Sequence, residues 1–501
     1  MFYLSGFKNF IEKLSDRRII IILVLLAIIT RLPIISYFPF LVDEATYSIM
    51  ISEQLEKPSL IPNFLGYPTF WKPILFYWVY AFFVGFLKNF PIPIEAVYRL
   101  PTELFGLANI IILYMFLRNN KFNKTFAFLM LLIYTLIFLN VYVSNTLFVD
   151  TMLNTFILGS LYFYTKENPN NKDYFLAFAL SFGAYYVKLI TAFIIPVLVI
   201  GYYYFKDKKI LTKKVFILSL LAVPLAMVLQ YFIYAQLLTT PVLGDSYSKE
   251  LFDRLNPETI LSKINETWRI FQYINMFLIF AVAGFLKYSK ENKFMSIWFV
   301  IFFLTILTNV GYFWYYVTVL PPIAYFALMF LCEGKKENYD RFFQLMLIVA
   351  IIFNLVVGFF ASNGIYEYYN PARVAGQMIV GKNNVEIIGL PALTTVAYKV
   401  IEEKRIGNAT DFGWILFTDL NVSSDQVNNF INNYDYSSNS LNISDGSFSR
   451  MYWDYKIFRK TTSVKKFDYL VLPGFSEYYE NISINGTILY QYKYATVIKI
   501  N

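Results

Sequence analysis

Two adjacent carboxylates, Asp43 and Glu44, follow directly on the first long apolar segment of the chain, and Lys72, Arg99, Asp150 and Lys188 stand near the ends of later apolar segments. Charges are costly in hydrocarbon and cheap at its surface, so ionisable residues gathered at span ends point to a cleft at a membrane face where a substrate is handled. A carboxylate there can take the proton from an attacking hydroxyl, while fixed cations stabilise the negative charge that grows on a departing phosphate. Group transfer from a lipid-linked phosphate uses these residue types, with the lipid tail in the bilayer and the sugar above it.

The elements that must position these residues are membrane helices. The chain has 501 residues, of which 57% are hydrophobic, 20% aromatic and 15% charged, at a mean hydropathy of +0.49. That is more apolar surface than a soluble domain can hide, and it falls in blocks of spanning length. The net charge of +9 sits in short connections such as Lys206–Lys209 and Lys213–Lys214, which reads as the positive-inside signal and not as a nucleic-acid surface. Histidine is absent, so a His base, a His-dependent triad and a His-ligated zinc are excluded, and acid-base work falls to Asp, Glu, Lys or Tyr. Cys332 is the only cysteine, so no intramolecular disulfide staples an external domain.

Apolar blocks lie near 19–36, 73–88, 101–117, 125–142, 148–164, 174–187, 190–205, 215–235, 268–286, 294–309, 313–331 and 342–361. Lys8, Lys13, Arg17 and Arg18 put the N-terminus inside, and Arg118, Lys121 and Lys124 put 118–124 inside, which demands an even number of crossings between them. Segment 73–88 begins with Pro73 and carries the interfacial residues Tyr77, Trp78 and Tyr80, so it is laid along the outer surface. The expected fold is therefore an α-helical polytopic membrane protein of about eleven spans plus a juxtamembrane helix over residues 1–361. The block 19–36 is too long for a signal-peptide core and lacks a small-residue cleavage pattern, so it is expected to be retained as a span.

Residues 362–501 turn polar and rich in Asn and Ser. Strands are expected at 384–390, 412–420, 467–473 and 487–500 and helices at 392–405 and 424–433, giving an external α/β domain. Sequons at Asn408, Asn421, Asn442, Asn481 and Asn485 agree with an external tail, although Asn123, placed inside, is also a sequon. By the same parity Asp43, Glu44, Trp71, Lys72, Arg99, Asp150 and Lys188 share the outer face. Glu103 lies inside a span, four residues after Arg99 and able to pair with it on one helix face.

The stretches Leu41-Val-Asp43-Glu44-Ala-Thr-Tyr47, Trp71-Lys72-Pro73-Ile-Leu-Phe-Tyr77-Trp78, Tyr98-Arg99-Leu-Pro101-Thr-Glu-Leu-Phe-Gly106, Phe148-Val-Asp150 and Tyr186-Val-Lys188 resemble, in order and spacing, the GT-C class of polyprenyl-phosphate-sugar glycosyltransferases. Within it the likeness is to the protein O-mannosyltransferase and lipid A aminoarabinose transferase group, over roughly the first 205 residues. The resemblance implies transfer with inversion of a sugar such as mannose from a dolichyl or other polyprenyl phosphate to an extracytoplasmic glycan, lipid or protein. It implies Asp43 as base, Glu44 and Asp150 beside it in the catalytic set, and Lys72, Arg99, Lys188, Tyr47 and Trp71 as substrate-binding residues. The aminoarabinose transferases often carry a Glu before the Lys-Pro and a downstream His that helps bind metal. Trp71 and the absence of histidine depart from that pattern, leaving a divalent metal open and His-ligated zinc unsupported.

Each residue also has a plainer reading. Asp43 and Glu44 suit the first turn of a helix, Lys72 and Lys188 could snorkel to headgroups, and the aromatic run 312–316 fits an interfacial belt. Alternative functions are a polytopic transporter or lipid flippase, which needs ionisable or broken-helix features at mid-membrane, and an oligosaccharyltransferase-like enzyme. The segment Tyr452-Trp453-Asp454-Tyr455-Lys456 only partly matches the Trp-Trp-Asp-Tyr-Gly motif of the latter.

Overall fold

The computed structural model of the chain describes residues 4–64, 67–68, 74–188, 190–237, 273–274, 276–308, 313–332, 337–382, 385–388, 392–406, 412–417, 456–459, 468–473, 486–492 and 495–500. Helices α1 (Leu4–Lys13) and α2 (Asp16–Tyr37) lead into α3 (Val42–Glu56). A two-residue pairing of β1 (Asn63–Phe64) with β2 (Tyr67–Pro68) precedes α4 (Ile74–Leu87) and α5 (Ile94–Asn119). Next come α6 (Lys124–Leu136), α7 (Phe138–Ser144), α8 (Val149–Tyr164), α9 (Asn171–Val187), α10 (Ile194–Lys206), α11 (Lys214–Leu220) and α12 (Ala222–Leu237). The helical part closes with α13 (Met276–Tyr288), α14 (Lys293–Thr308), α15 (Leu320–Cys332) and the long α16 (Glu337–Met378).

Helix α2 shows how the sequence builds such a bundle. Ser15 caps its start by accepting from the Arg18 amide at 3.3 Å, and its buried stripe runs Ile19, Leu23, Ala27, Arg31 at the i, i+4 spacing of one helix face. The opposite face is just as apolar, with Ile21, Leu25, Ile29 and Leu32 all exposed. A helix apolar all round is solvated by protein on one side and needs hydrocarbon on the other. Among the described residues, α5 is the helix long and apolar enough to cross a bilayer unbroken, and α6 with α7, bent by 64°, reach that length together. Several other apolar helices, Ile74–Leu87 and Met276–Tyr288 among them, are shorter. The expected eleven spans are thus not reproduced as eleven long helices.

Contacts sort the connections to two ends. At one end Tyr114 donates to Asp16 at 2.6 Å, Lys124 to the Leu14 carbonyl at 3.0 Å and Tyr202 to Asn120 at 2.7 Å. The Phe294 ring lies 5.9 Å from Phe116 at that end. The basic connections 118–124, 206–214 and 287–293 therefore gather beside the N-terminal helices. Asn123, one of the sequons, spends its side chain there capping α6, accepting from the Phe126 amide at 2.7 Å. The opposite end collects the α2–α3 connection, the start of α5 and the start of α8.

The tail forms a six-stranded sheet in the order β5-β4-β3-β6-β8-β7, made of β3 (Val385–Ile388), β4 (Phe412–Phe417), β5 (Lys456–Arg459), β6 (Tyr469–Pro473), β7 (Gly486–Tyr492) and β8 (Ala495–Ile500). Parallel β3 and β4 need a crossover, which is α17 (Ala392–Ile406). This helix lies against α3 and α16 as well as the sheet, so residues 393–401 are buried all round. Helix α16 runs unbroken through residue 361, carrying the bundle into the tail domain. The expected helix 424–433 lies outside the described residues.

Close helix contacts make one position intolerant of any side chain. A Cβ on Gly284 of α13 would stand 2.0 Å from the Phe326 carbonyl oxygen on α15, whereas small residues let membrane helices approach. Gly284→Val is expected to lose about 2 kcal/mol or more by overpacking, read as a lower thermal midpoint in detergent; an unchanged midpoint would show that these helices do not pack this closely.

Candidate active site

Helix α3 begins at the residue after Leu41, which places Asp43 and Glu44 in its first turn. Acids there meet the exposed amides and positive pole of the helix. Glu44, at the third helical position, reaches back to accept from the Leu41 amide at 3.0 Å on Oε2, as a capping glutamate does. The same oxygen accepts from Arg99 Nη2 at 2.7 Å, while Oε1 accepts from Arg99 Nε at 2.8 Å and from the Leu147 amide at 2.5 Å. A carboxylate has about four acceptor positions, and all of Glu44's are taken.

Arg99 is equally spent. Its remaining donors go to the backbone carbonyls of Ile35 (3.3 Å) and Phe38 (2.6 Å) from Nη1 and of Pro39 (2.9 Å) from Nη2, so all five N–H groups of the guanidinium are used. Both side chains are 0% exposed. Burying two ions costs several kcal/mol each, but hydrogen bonds to charged groups return roughly 1.5–3 kcal/mol apiece. The seven formed here are enough to offset that cost.

One expectation changes. Arg99 pairs across the bundle with Glu44, because only a guanidinium placed between the end of α2 and the start of α3 can reach the carbonyls that α2 leaves unsatisfied. Glu103 turns instead to Arg31 on α2, at 3.9 Å. Glu44's lone pairs are filled by protein donors, so it supports the site from within the protein. Among the described residues no three acids or cysteines gather to hold a metal.

Asp43 is partly exposed, unlike its neighbour. The Tyr369 phenol on α16 is pushed up by burial first, then by Tyr368 and the Asp43 carboxylate, so the Asp43 charge is felt on that helix. Asp150, in the first turn of α8, follows by three residues Leu147, whose amide donates to Glu44. Lys188, at the end of α9, donates to Asp150 at 2.5 Å, with side-chain exposures of 16% and 1%. The structure thus brings Asp43, Glu44, Arg99, Asp150 and Lys188 to one end of the bundle. Tyr47 is buried, edge-on to Phe76 at 5.6 Å and Tyr77 at 6.3 Å, and fastens α3 to α4 instead of opening to a substrate. Lys72 and Trp71 lie outside the described residues.

Sequence reasoning passed over Glu95 on α5 and Arg373, Thr394 and Tyr398 on the tail side, which are linked to one another or to the same connection. Glu95 carried a usable signal, standing four residues before Arg99 and so on the same face of α5. The others are more than 270 positions from Glu95, and no local pattern marks them.

The chain is a helical bundle with acids and bases gathered at one end and a C-terminal domain that meets that end through α17, and it shares its fold with solved structures of GT-C glycosyltransferases. ArnT from Cupriavidus metallidurans in the apo state matches it with a TM-score of 0.60 over 95% of this chain and 97% of that one, at 11% identity. The same ArnT bound to undecaprenyl phosphate matches with a TM-score of 0.54 at 12% identity and equal coverage. The oligosaccharyltransferase AglB from Archaeoglobus fulgidus, in complex with an inhibitory peptide and a dolichol-phosphate, matches at 0.53 over 87% of this chain and 72% of that one, at 10% identity. No family model and no curated relative matches the sequence.

The two buried Arg–Glu pairs make separate predictions. Glu44→Gln leaves the Arg99 charge buried without its counterion, at a cost of about 3–5 kcal/mol, measured as loss of the thermal midpoint in detergent. For Arg31 and Glu103, whose Arg nitrogens have no hydrogen-bond partner among the described residues, Glu103→Leu alone is expected to destabilise by about 3 kcal/mol and Arg31→Leu/Glu103→Leu together to recover most of it. A double variant as unstable as the sum of its singles would mean the two do not interact.

Proposed function

We propose that this chain is a membrane glycosyltransferase that moves one sugar from a polyprenyl phosphate to an acceptor on the extracytoplasmic side. The observation that carries the reading is the division of labour in the acid pair. Glu44 is saturated and buried, while Asp43, one residue earlier, is held partly open at a helix start inside a GT-C fold. In this reading the acceptor hydroxyl attacks the anomeric carbon as its proton passes to the Asp43 carboxylate. The bond from that carbon to the phosphate oxygen breaks, the polyprenyl phosphate leaves with the bonding pair, and the anomeric configuration inverts. The GT-C neighbours include structures with undecaprenyl phosphate and dolichol-phosphate, which supports a polyprenyl-phosphate donor here.

Lys188 is assigned to the departing phosphate. Asp150, which accepts from its ammonium at 2.5 Å, fixes where that charge stands. Lys72 is assigned a second phosphate contact from its place before α4. The external domain is assigned to the acceptor side, and a mannosyl donor is the sugar to try first.

Membranes containing the protein and a labelled polyprenyl-phosphate mannose are expected to transfer label to an extracytoplasmic acceptor mixture. Asp43→Asn should lower the rate about 100-fold or more, the scale of a general base, with the thermal midpoint of the same variant read alongside to separate lost chemistry from lost folding. Equal turnover in the variant would remove Asp43 from the chemistry, and silence with every polyprenyl-phosphate sugar would remove the transferase reading itself.

A further inference from the structure

The four residues between α2 and α3, Phe38 to Leu41, form no helix or strand, yet Phe38, Pro39 and Phe40 are buried. A buried irregular segment must find partners for each backbone polar group, and here they come from two directions. From the bundle, Arg99 takes the Phe38 and Pro39 carbonyls and Glu44 takes the Leu41 amide. The Leu41 carbonyl accepts from the Ala45 amide as α3 begins, at 2.7 Å.

Phe40, at the centre, is satisfied entirely by the C-terminal domain. Its amide donates to the Tyr398 hydroxyl at 3.0 Å and its carbonyl accepts from Thr394 Oγ1 at 3.0 Å. Tyr398 and Thr394 are four residues apart on α17, one turn of a helix, so a single helix face grips both sides of one peptide residue. The Tyr398 hydroxyl passes its own proton donation to Glu95 Oε1 at 2.7 Å, which Arg373 also approaches at 3.4 Å. Burial first, then Glu95, keeps this phenol well above its ordinary range, so it stays a donor to the carboxylate. The rings repeat the arrangement: Phe40 stacks on Tyr398 at 5.2 Å and 29°, with Tyr98 edge-on at 5.8 Å and the Arg99 guanidinium 5.5 Å from its centroid.

Phe40 is three residues before Asp43, with the α3 cap between them. A shift of the connection is therefore passed to the first turn of α3. We infer that Tyr398 of the C-terminal domain is a positioning residue for Asp43, holding the α2–α3 connection at Phe40 while Arg99 holds it at Phe38 and Pro39. The inference rests on the proposed transferase reading for its kinetic consequence, and on the Phe40 contacts alone for its structural one. The tail domain is on this account part of the catalytic machinery and not only a cover over it. Asp43 is fixed only when both domains are docked.

The test uses the full chain, with Tyr398→Phe, which keeps the stacked ring and removes the hydroxyl, and Thr394→Val, which removes the second grip. Hydrogen exchange over residues 38–46 and steady-state transfer from labelled polyprenyl-phosphate mannose are read on each. The expected result is about tenfold faster exchange confined to that segment in Tyr398→Phe, with kcat lowered about 10- to 100-fold, the cost of a misplaced catalytic group. Donor KM is expected to stay within about twofold, since Tyr398 would act through Asp43 and not on donor binding. Adding Tyr398→Phe to Asp43→Asn should lower the residual rate no further, because both act through one group. Thr394→Val should show the same pattern more weakly. Unchanged exchange at 38–46, or unchanged kcat with raised exchange, overturns the inference, as does a rise in KM alone. If the wild-type protein transfers no sugar while Tyr398→Phe still loosens 38–46, the transferase reading falls and the Tyr398 grip on Phe40 stands.

Discussion

The bond between Arg99 and Glu44 is the constraint on which the Asp43 end of this molecule depends. A buried ion pair is tolerable only when its remaining valences are filled, and filling these requires the last turn of α2, the cap of α3, the first turns of α5 and the Leu147 amide to meet at one point. None of those elements can move separately without leaving a buried donor or acceptor empty. The geometry around Asp43 is therefore over-determined by groups that need do no chemistry themselves, which is what a catalytic carboxylate requires of its surroundings.

The same constraint explains why two adjacent acids behave so differently. Successive residues of a helix point about 100° apart, so one turn cannot aim both carboxylates at Arg99. Glu44 has the longer side chain and the third helical position, from which a carboxylate reaches both its own cap and the neighbouring helix. Asp43, shorter and one position earlier, stays outside that pair and partly exposed. Pairing of Glu44 with Arg99, Asp150 with Lys188 and Glu95 with Arg373 also keeps this crowded face from accumulating like charge.

Much of this was legible from residue order. Charge at block ends brought Asp43, Arg99, Asp150 and Lys188 to one place because a helix that crosses and returns leaves only two ends to choose from. The apolar stretches in the tail read correctly as strands for β3, β4 and β6, whereas the stretch 487–500 is two paired strands, β7 and β8, and β5 was not expected. Partner choice was not legible: local spacing favours Arg99 with Glu103, since a helix places i and i+4 together, but an arginine with five donors is drawn to a chain end rich in unsatisfied carbonyls. The grip of Thr394 and Tyr398 on Phe40 spans more than 350 positions, and neither residue type is unusual in a helix buried against a sheet.

Comparing the two buried Arg–Glu pairs shows why saturation, and not mere burial of charge, separates the site from its scaffold. Both pairs join α5 to the N-terminal helices, and both arginines are fully buried. Arg99 has spent every donor on named acceptors, so its position is fixed to within the tolerance of several hydrogen bonds at once. Arg31 stands 3.9 Å from Glu103, outside hydrogen-bond range, and is held by packing and Coulomb attraction, which are weakly directional. A pair of the second kind can be replaced by apolar residues of similar volume with little consequence. The first kind cannot, because removing either partner releases backbone groups of a connection that both domains hold, and with them the orientation of the residue that follows.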